Sequence, residues 1–170
     1  RSGEPRAAVE TFLDVFSRPS LTWEDLDFAR AHTSLPIVLK GIQHPDDAKR
    51  ALAAGVDGII VSNHGGRQID GAVGSADALP AIVETINGAI PVLFDSGIRG
   101  GSDVLKAMAL GASAVLVGRP YVYGLAVAGE RGVYEVLRNF IAEFDIALGL
   151  SGHASTKELS VDDLIRAPLP

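Results

Sequence analysis

Short apolar runs alternate with amphipathic stretches along most of the chain. PIVLK at Pro36–Lys40, GIIVS at Gly58–Ser62, PVLFD at Pro91–Asp95 and AVLVG at Ala114–Gly118 read as strands. Their near-continuous apolar content suits strands buried on both faces. Between them, Pro45 to Ala54, Asp77 or Ala78 to about Asn87, and Ser102 to Leu110 carry helical spacing, with Pro45 in a first turn and Gly55, Gly88 and Gly111 as stops. Upstream, an apolar stripe through Val9, Phe12, Leu13 and Phe16 predicts a helix from about Glu4 to Phe16, closed by Pro19 and Ser20. Thr22 then reads as the N-cap of a second helix reaching about His32, with Glu24 and Asp25 placed to favour its dipole. Downstream, Val133 to Leu148 predicts a long amphipathic helix and Val161 to Arg166 a short terminal one. Strands alternating with helices imply parallel βα units.

The pattern also repeats. PIVLKGI…DAKRALAAGVDGIIVS aligns with PVLFDSGI…DVLKAMALGASAVLVG, placing Asp47 on Asp103, Ala51 on Ala107, Gly55 on Gly111 and Val61 on Val117. A two-strand, two-helix unit occurring twice gives four βα units, so the expected fold is α/β: half of a (β/α)8 TIM barrel, with further helices after the last strand. Residues 1–20 are expected to form a linker and short helix, and residues 21–170 the half-barrel. Four parallel strands leave two outer edges with unpaired backbone groups. Those edges are expected to meet an amino-terminal half-barrel or a second copy of the chain; an open four-stranded sheet is the third possibility.

Composition narrows the class. The 170 residues are 47% hydrophobic and 21% charged, enough apolar material for a sizeable core. A formal charge of −6 without a basic stripe argues against a nucleic-acid partner. The chain has no cysteine, which removes disulfides, thiolate metal sites and thiol nucleophiles, and a cytoplasmic location is the expectation. No apolar run is long enough to span a membrane and no leader-like pattern opens the sequence. The first residue is Arg1 rather than Met, so a longer parent protein is expected.

Chemistry concentrates where strands end. After Gly58–Ser62 come His64 and Arg67, flanking Gly65 and Gly66 in a polar turn at the end of the strand where parallel α/β folds bind ligands. A base that titrates near neutrality beside a planar cation suits a substrate whose acidic proton lies next to a carboxylate. The second candidate is DSGIRGGSD at Asp95–Asp103 together with Gly118, Arg119 and Pro120. Glycines before a helix start, and the arginines Arg99 and Arg119 after successive strands, suit a phosphate. Each element has a plainer reading: His64 as a turn residue, Lys40 as a cation at a strand end, Ser62 as a small packing residue. His32, His44 and His153 read as surface or capping residues.

Together, VLKGI, SNHGGRQ, FDSGIRGGSD and VGRPYVYGLA resemble the carboxyl-terminal half of the FMN-dependent α-hydroxy acid oxidases and dehydrogenases, with the lactate monooxygenase branch nearest in look. The resemblance covers about Leu21 to Pro170. It implies an FMN cofactor and oxidation of a short, lactate-like L-2-hydroxy acid at its α-carbon, with electrons passing to oxygen or another acceptor. By the same resemblance His64 is the base, Arg67 holds the substrate carboxylate, Lys40 lies near the flavin N1 and O2 edge, and Ser62 contacts the flavin. Asp95, Gly97, Arg99, Gly118 and Arg119 would hold the ribityl phosphate. A homo-oligomer is expected. Family members take further substrate and flavin contacts from an amino-terminal half, so this chain alone is expected to turn over little. A phosphate- or nucleotide-binding module without redox chemistry, and an assembly fragment using Tyr121–Leu125 and the Val133–Leu148 helix, are the competing readings.

Overall fold

A computed structural model describes residues 5–16 and 18–166. The chain divides between Leu35 and Pro36 into two compact units. The first holds α1 (Pro5–Phe16) and α2 (Asp25–His32). Thr22 is not the N-cap of α2 as expected: the helix begins at Asp25 with Glu24 before it and no side-chain cap, while the Thr22 N–H and hydroxyl both donate to Asp25 Oδ2, at 2.7 and 3.2 Å, which ties the preceding turn to the helix start.

The second unit is built on four parallel strands in the order β1 (Val38–Ile42), β2 (Gly58–Val61), β3 (Val92–Phe94) and β4 (Ala114–Val115). Helices α3 (Pro45–Ala53), α4 (Ser75–Ile86) and α5 (Gly101–Ala109) connect them, and α6 (Arg119–Leu150) follows β4. This is the expected half-barrel arrangement, in which sequential strands are neighbours joined by helical crossovers. The central strand β2 is buried along its whole length. Ile59 and Val61 pack with Phe94 of β3 and with Leu79, Ile82 and Ile86 of α4, all of them essentially without solvent contact. The apolar stripe of α4 and the two-sided burial of β2 thus form one core.

Several boundaries differ from the sequence expectation, each for a local reason. β1 begins two residues late because Pro36 has no N–H and the Ile37 N–H donates to the Asp57 carboxylate at 2.7 Å instead of joining the ladder. It runs on to Ile42 through a bulge at Gly41, where the register against β2 shifts. β4 is only two residues long, its pairing with β3 ending after Val115 with the Leu116 N–H donating to the Phe94 carbonyl at 2.8 Å. α4 starts at Ser75, where the Gly74 carbonyl accepts from the Asp77 and Ala78 N–H groups, and it carries Pro80 in its second turn. The predicted helix at Val161–Arg166 is a single turn, Val161–Asp163, closed by Asp163 accepting from the Ser160 N–H; Leu164 is already extended.

The largest difference is α6. It begins immediately after Gly118 rather than at Val133, and it folds back on itself at Ala128 and Gly129 (φ 57°). Gly124 and Gly132 meet across that bend, backbone to backbone. The second segment crosses α5 so closely that Gly101 sits against the Glu143 and Phe144 backbone with no room for a side chain. Glu143 also accepts from the Gly101 N–H at 2.7 Å, so one carboxylate caps α5 from a different helix.

A methyl group at Gly101 would have to push these helices apart. Gly101→Ala is expected to cost about 1–3 kcal/mol in urea unfolding, the range for overpacking a close contact, although alanine is the better helix former.

Candidate active site

The carboxyl end of β2 delivers its chain into a tight turn built by side chains. Asn63 Oδ1 accepts from the Gly65 and Gly66 N–H groups at 3.0 and 3.3 Å, and the Asn63 N–H donates to Ser75 Oγ at 2.8 Å. His64 adopts a left-handed backbone (φ 55°), and its N–H donates to Ser62 Oγ at 3.1 Å. The bulge in β1 makes space for the imidazole: a Cβ at Gly41 would lie 3.0 Å from His64 Cε1, and the φ of 101° there also favours glycine. Arg67 turns back so that its Nε donates to the His64 carbonyl at 3.2 Å.

Beneath this turn lies an ion pair between the ends of β1 and β3. Lys40 Nζ is 2.8 Å from Asp95 Oδ2 and donates to the fully buried Ser62 Oγ at 2.8 Å. The other Asp95 oxygen accepts from Ser96 Oγ at 2.8 Å, and Ser96 Oγ in turn accepts from the Gly65 N–H at 3.0 Å. Ser96 is left-handed as well (φ 80°). That backbone costs about 1–2 kcal/mol for a side chain with a Cβ. A hydrogen bond to a charged group is worth about 1.5–3 kcal/mol, so the network is sufficient to hold it.

The charges set the protonation states. Burial lowers the His64 pKa from its ordinary 6.5, and the Lys40 and Arg67 charges act the same way against an opposing pull from Asp95. Burial by itself would raise the Asp95 carboxyl. Hydrogen bonds from Lys40, Ser62 and Ser96, with the Lys40 charge, outweigh it and hold the group below 3.8. The site therefore presents a neutral imidazole and an ionised carboxylate at pH 7.

One cleft gathers the predicted residues: Lys40, His64, Arg67, Asp95, Gly97, Arg99, Gly118 and Arg119 all line it, and Ser62 lies buried at its base. Four cations thus face one carboxylate that is already paired, which suits anionic ligands. The anion-binding detail differs from the sequence reading. The N–H groups at the start of α5 are not free: Asp103 Oδ2 accepts from Arg99 and Gly100 at 2.9 and 3.2 Å, and Glu143 takes Gly101. The start of α6 has no side-chain cap, with Gly118 before it and Arg119 in its first position. Arg119 Nη2 reaches across to the Gly65 carbonyl at 3.4 Å, while Arg99 Nη1 donates to the Ile98 carbonyl at 3.2 Å.

Sequence reasoning missed Asn63 and Ser96. An asparagine just ahead of two glycines is a readable turn signal; the left-handed Ser96 was visible only as the one residue inserted in the second half of the internal repeat, ahead of Gly97, which matches Gly41. The minor histidines divide. His44 caps α3 by accepting from the Asp46 N–H at 3.2 Å, whereas His153, expected at the surface or in a cap, is largely covered, with Nε2 3.0 Å from an Asp163 carboxylate oxygen.

Comparison with known proteins gives a consistent result. The family model described as FMN-dependent dehydrogenase matches residues 2–166. An L-lactate oxidase of Lysinibacillus sphaericus is 50% identical over 93% of this chain and 41% of its own length. The 2-hydroxyacid oxidase 1 of Mus musculus is 52% identical over 89% of this chain and 41% of its own. Mandelate oxidase in complex with (S)-4-hydroxymandelic acid superimposes with a TM-score of 0.79 at 55% identity, covering 81% of this chain and 39% of that structure. Oxidases and dehydrogenases match at similar identity, so the likeness singles out no branch; the chain spans about 40% of the length of these relatives. With strand order, cleft and sequence in agreement, the chain belongs to the FMN-dependent dehydrogenase family.

Proposed function

We propose that this chain carries the proton-abstracting and anion-binding wall of an FMN-dependent enzyme that oxidises short 2-hydroxy acids. The observation that carries this reading is the single cleft at the strand ends in which a neutral imidazole stands among Lys40, Arg67, Arg99 and Arg119. FMN fits the donor set: Arg99, Arg119 and the uncapped start of α6 suit its phosphate, and Gly97 and Gly118 leave open space where a side chain would stand. Bound FMN would supply a two-electron acceptor beside the substrate.

The chain's own residues do the rest. His64 Nε2 or Nδ1 takes the substrate proton, and its lowered pKa keeps it free to do so near neutrality. Arg67, anchored through Nε to the His64 carbonyl, holds the substrate carboxylate in fixed relation to that imidazole. Lys40 presents a positive charge to the cofactor, steadied by Asp95 and Ser62. Ser62 serves the site by locking Lys40 and the His64 N–H. Both Asp95 oxygens are engaged, so its part is to hold Lys40 and spare the phosphate an unpaired negative charge.

β1 and β4 each have one strand neighbour, and a closed barrel needs four more strands. Further βα units or a second copy would complete both the sheet and the far wall of the cleft. Turnover is expected to need that completion.

Two tests follow from these roles. Mixed with FMN, the chain should stay yellow through desalting, and replacing Arg99 and Arg119 together by alanine should release the colour. With the barrel completed, anaerobic lactate should bleach the flavin. His64→Ala should slow that bleaching by about a thousandfold, within the range for a general base. Arg67→Met should raise KM about a hundredfold, equivalent to roughly 3 kcal/mol for a lost charge-assisted pair. Bleaching at the parental rate in His64→Ala would remove the histidine from its role.

The protonation argument is checked separately by NMR titration of the free chain. The His64 midpoint should fall below 6.5, with Lys40→Met moving it up and Asp95→Asn moving it further down. Because the folded pKa lies below the unfolded value, this histidine contributes no penalty above pH 6.5 and subtracts stability as pH falls from there through the folded midpoint. Asp95 contributes in the other range: its stabilisation is present above pH 3.8 and lost as pH falls through its lower folded value.

A further inference from the structure

We propose that Ser96 is a positioning residue: its hydroxyl ties the turn bearing His64 to the Lys40–Asp95 pair and thereby aims the imidazole. The inference rests on the base role given to His64 above and adds a residue that this role does not itself require.

The first argument is conformational. Ser96 is the residue inserted in the second half of the internal repeat, where Lys40–Gly41–Ile42 becomes Asp95–Ser96–Gly97–Ile98, and Ser96 has a positive φ of 80°, as do Gly41 (101°) and its counterpart Gly97 (81°). Glycine is the natural occupant of such a position. At Gly41 a side chain would press on the imidazole, so glycine is required there. At Ser96 the chain carries a side chain against its backbone preference, and that side chain is fully used.

The second argument is the closed circuit it completes. Lys40 donates to Ser62 Oγ, which also accepts from the His64 N–H. On the other side, Asp95 accepts from Ser96 Oγ, which accepts from the N–H of Gly65, the next residue along. Two successive backbone N–H groups, those of His64 and Gly65, are thus held by two hydroxyls, each bonded to one member of the same ion pair. The left-handed backbone of His64 is clamped from both ends. Without the Ser96 hydroxyl, Gly65 N–H keeps only Asn63 Oδ1, and Asp95 Oδ1 loses the donor that partly offsets its charge.

The charged groups facing the imidazole are Lys40 on β1, Asp95 after β3, Arg67 on its own turn, and Arg99 and Arg119 along the same cleft. Freeing Asp95 strengthens the one negative contribution among them, and loosening the turn lets water reach the ring. Both changes favour the protonated histidine.

The decisive comparison is Ser96→Gly, a substitution that relieves the backbone and so protects the fold. The variant should melt no lower than the parent, while the His64 NMR midpoint rises by roughly half a pH unit. A resonance absent from His64→Gln assigns the signal among the four histidines. In the completed enzyme turnover should fall about tenfold with KM changed less than twofold, and the acid limb of the pH–rate profile should move with the midpoint. Ser96→Asn, whose side chain tolerates φ above zero and offers both a donor and an acceptor, should restore the midpoint. An unmoved His64 midpoint in Ser96→Gly overturns the proposal even if turnover drops. A moved midpoint in a chain that oxidises no hydroxy acid would uphold the linkage while removing the function assigned to it.

Discussion

Lys40 and Asp95 meet across the end of β2, and the cleft depends on that ion pair. The two residues occupy equivalent positions in the two halves of the internal repeat, each the last side chain before a residue with positive φ. A repeat with identical residues there would put like charges on strands one apart, at a distance where repulsion is costly. Opposite charges turn the same geometry into a brace. Ser62, fully buried between them at the end of β2, takes a hydrogen bond from the lysine and supports the next turn. The pair is worth little as a stability device, because desolvation offsets much of its attraction. Its value is positional: it fixes a cation and two hydroxyls under the imidazole.

The strands make this placement possible. β2 is buried on both faces and bonded on both edges, so its end is a firmly held point from which to project a turn. The site's other parts come from neighbouring strand ends at the same level, which is the reason parallel α/β folds collect function there. Two glycines adjust the level locally. Gly41 lets β1 bulge away from the ring, and Gly101 lets α5 and α6 close upon each other behind the cleft. Glu143 then occupies the start of α5, which directs the available anion-binding capacity to the start of α6 and to the arginines. A carboxylate at one helix start and none at the adjacent one makes the second the more favourable of the two for an anion.

Much of this was legible beforehand. The four strands, the helices between them and the parallel order follow from apolar runs, proline at helix starts and glycine at their ends, and the site residues stand in loops directly after strands. Boundaries were less legible, because they depend on single bonds made at a distance: the Ile37 N–H going to Asp57 shortens β1 at its start. The bent α6 escaped notice since Arg119–Val127 carries no polar face of its own; its length depends on glycines at 124 and 132 meeting after the bend.

By itself the sequence determined the fold class, the repeat, and which charged and titratable side chains stand at the strand ends, because these follow from local periodicity and from residue types whose charge and acidity are intrinsic. The tertiary structure decided which of those groups touch. It paired Lys40 with Asp95, closed the N–H groups of α5 with carboxylates from Asp103 and Glu143, and joined Ser96 to the backbone of a turn 31 positions earlier. The physical reason is that a hydrogen bond needs alignment within a few tenths of an ångström, and that alignment exists only once separate strands and helices have packed.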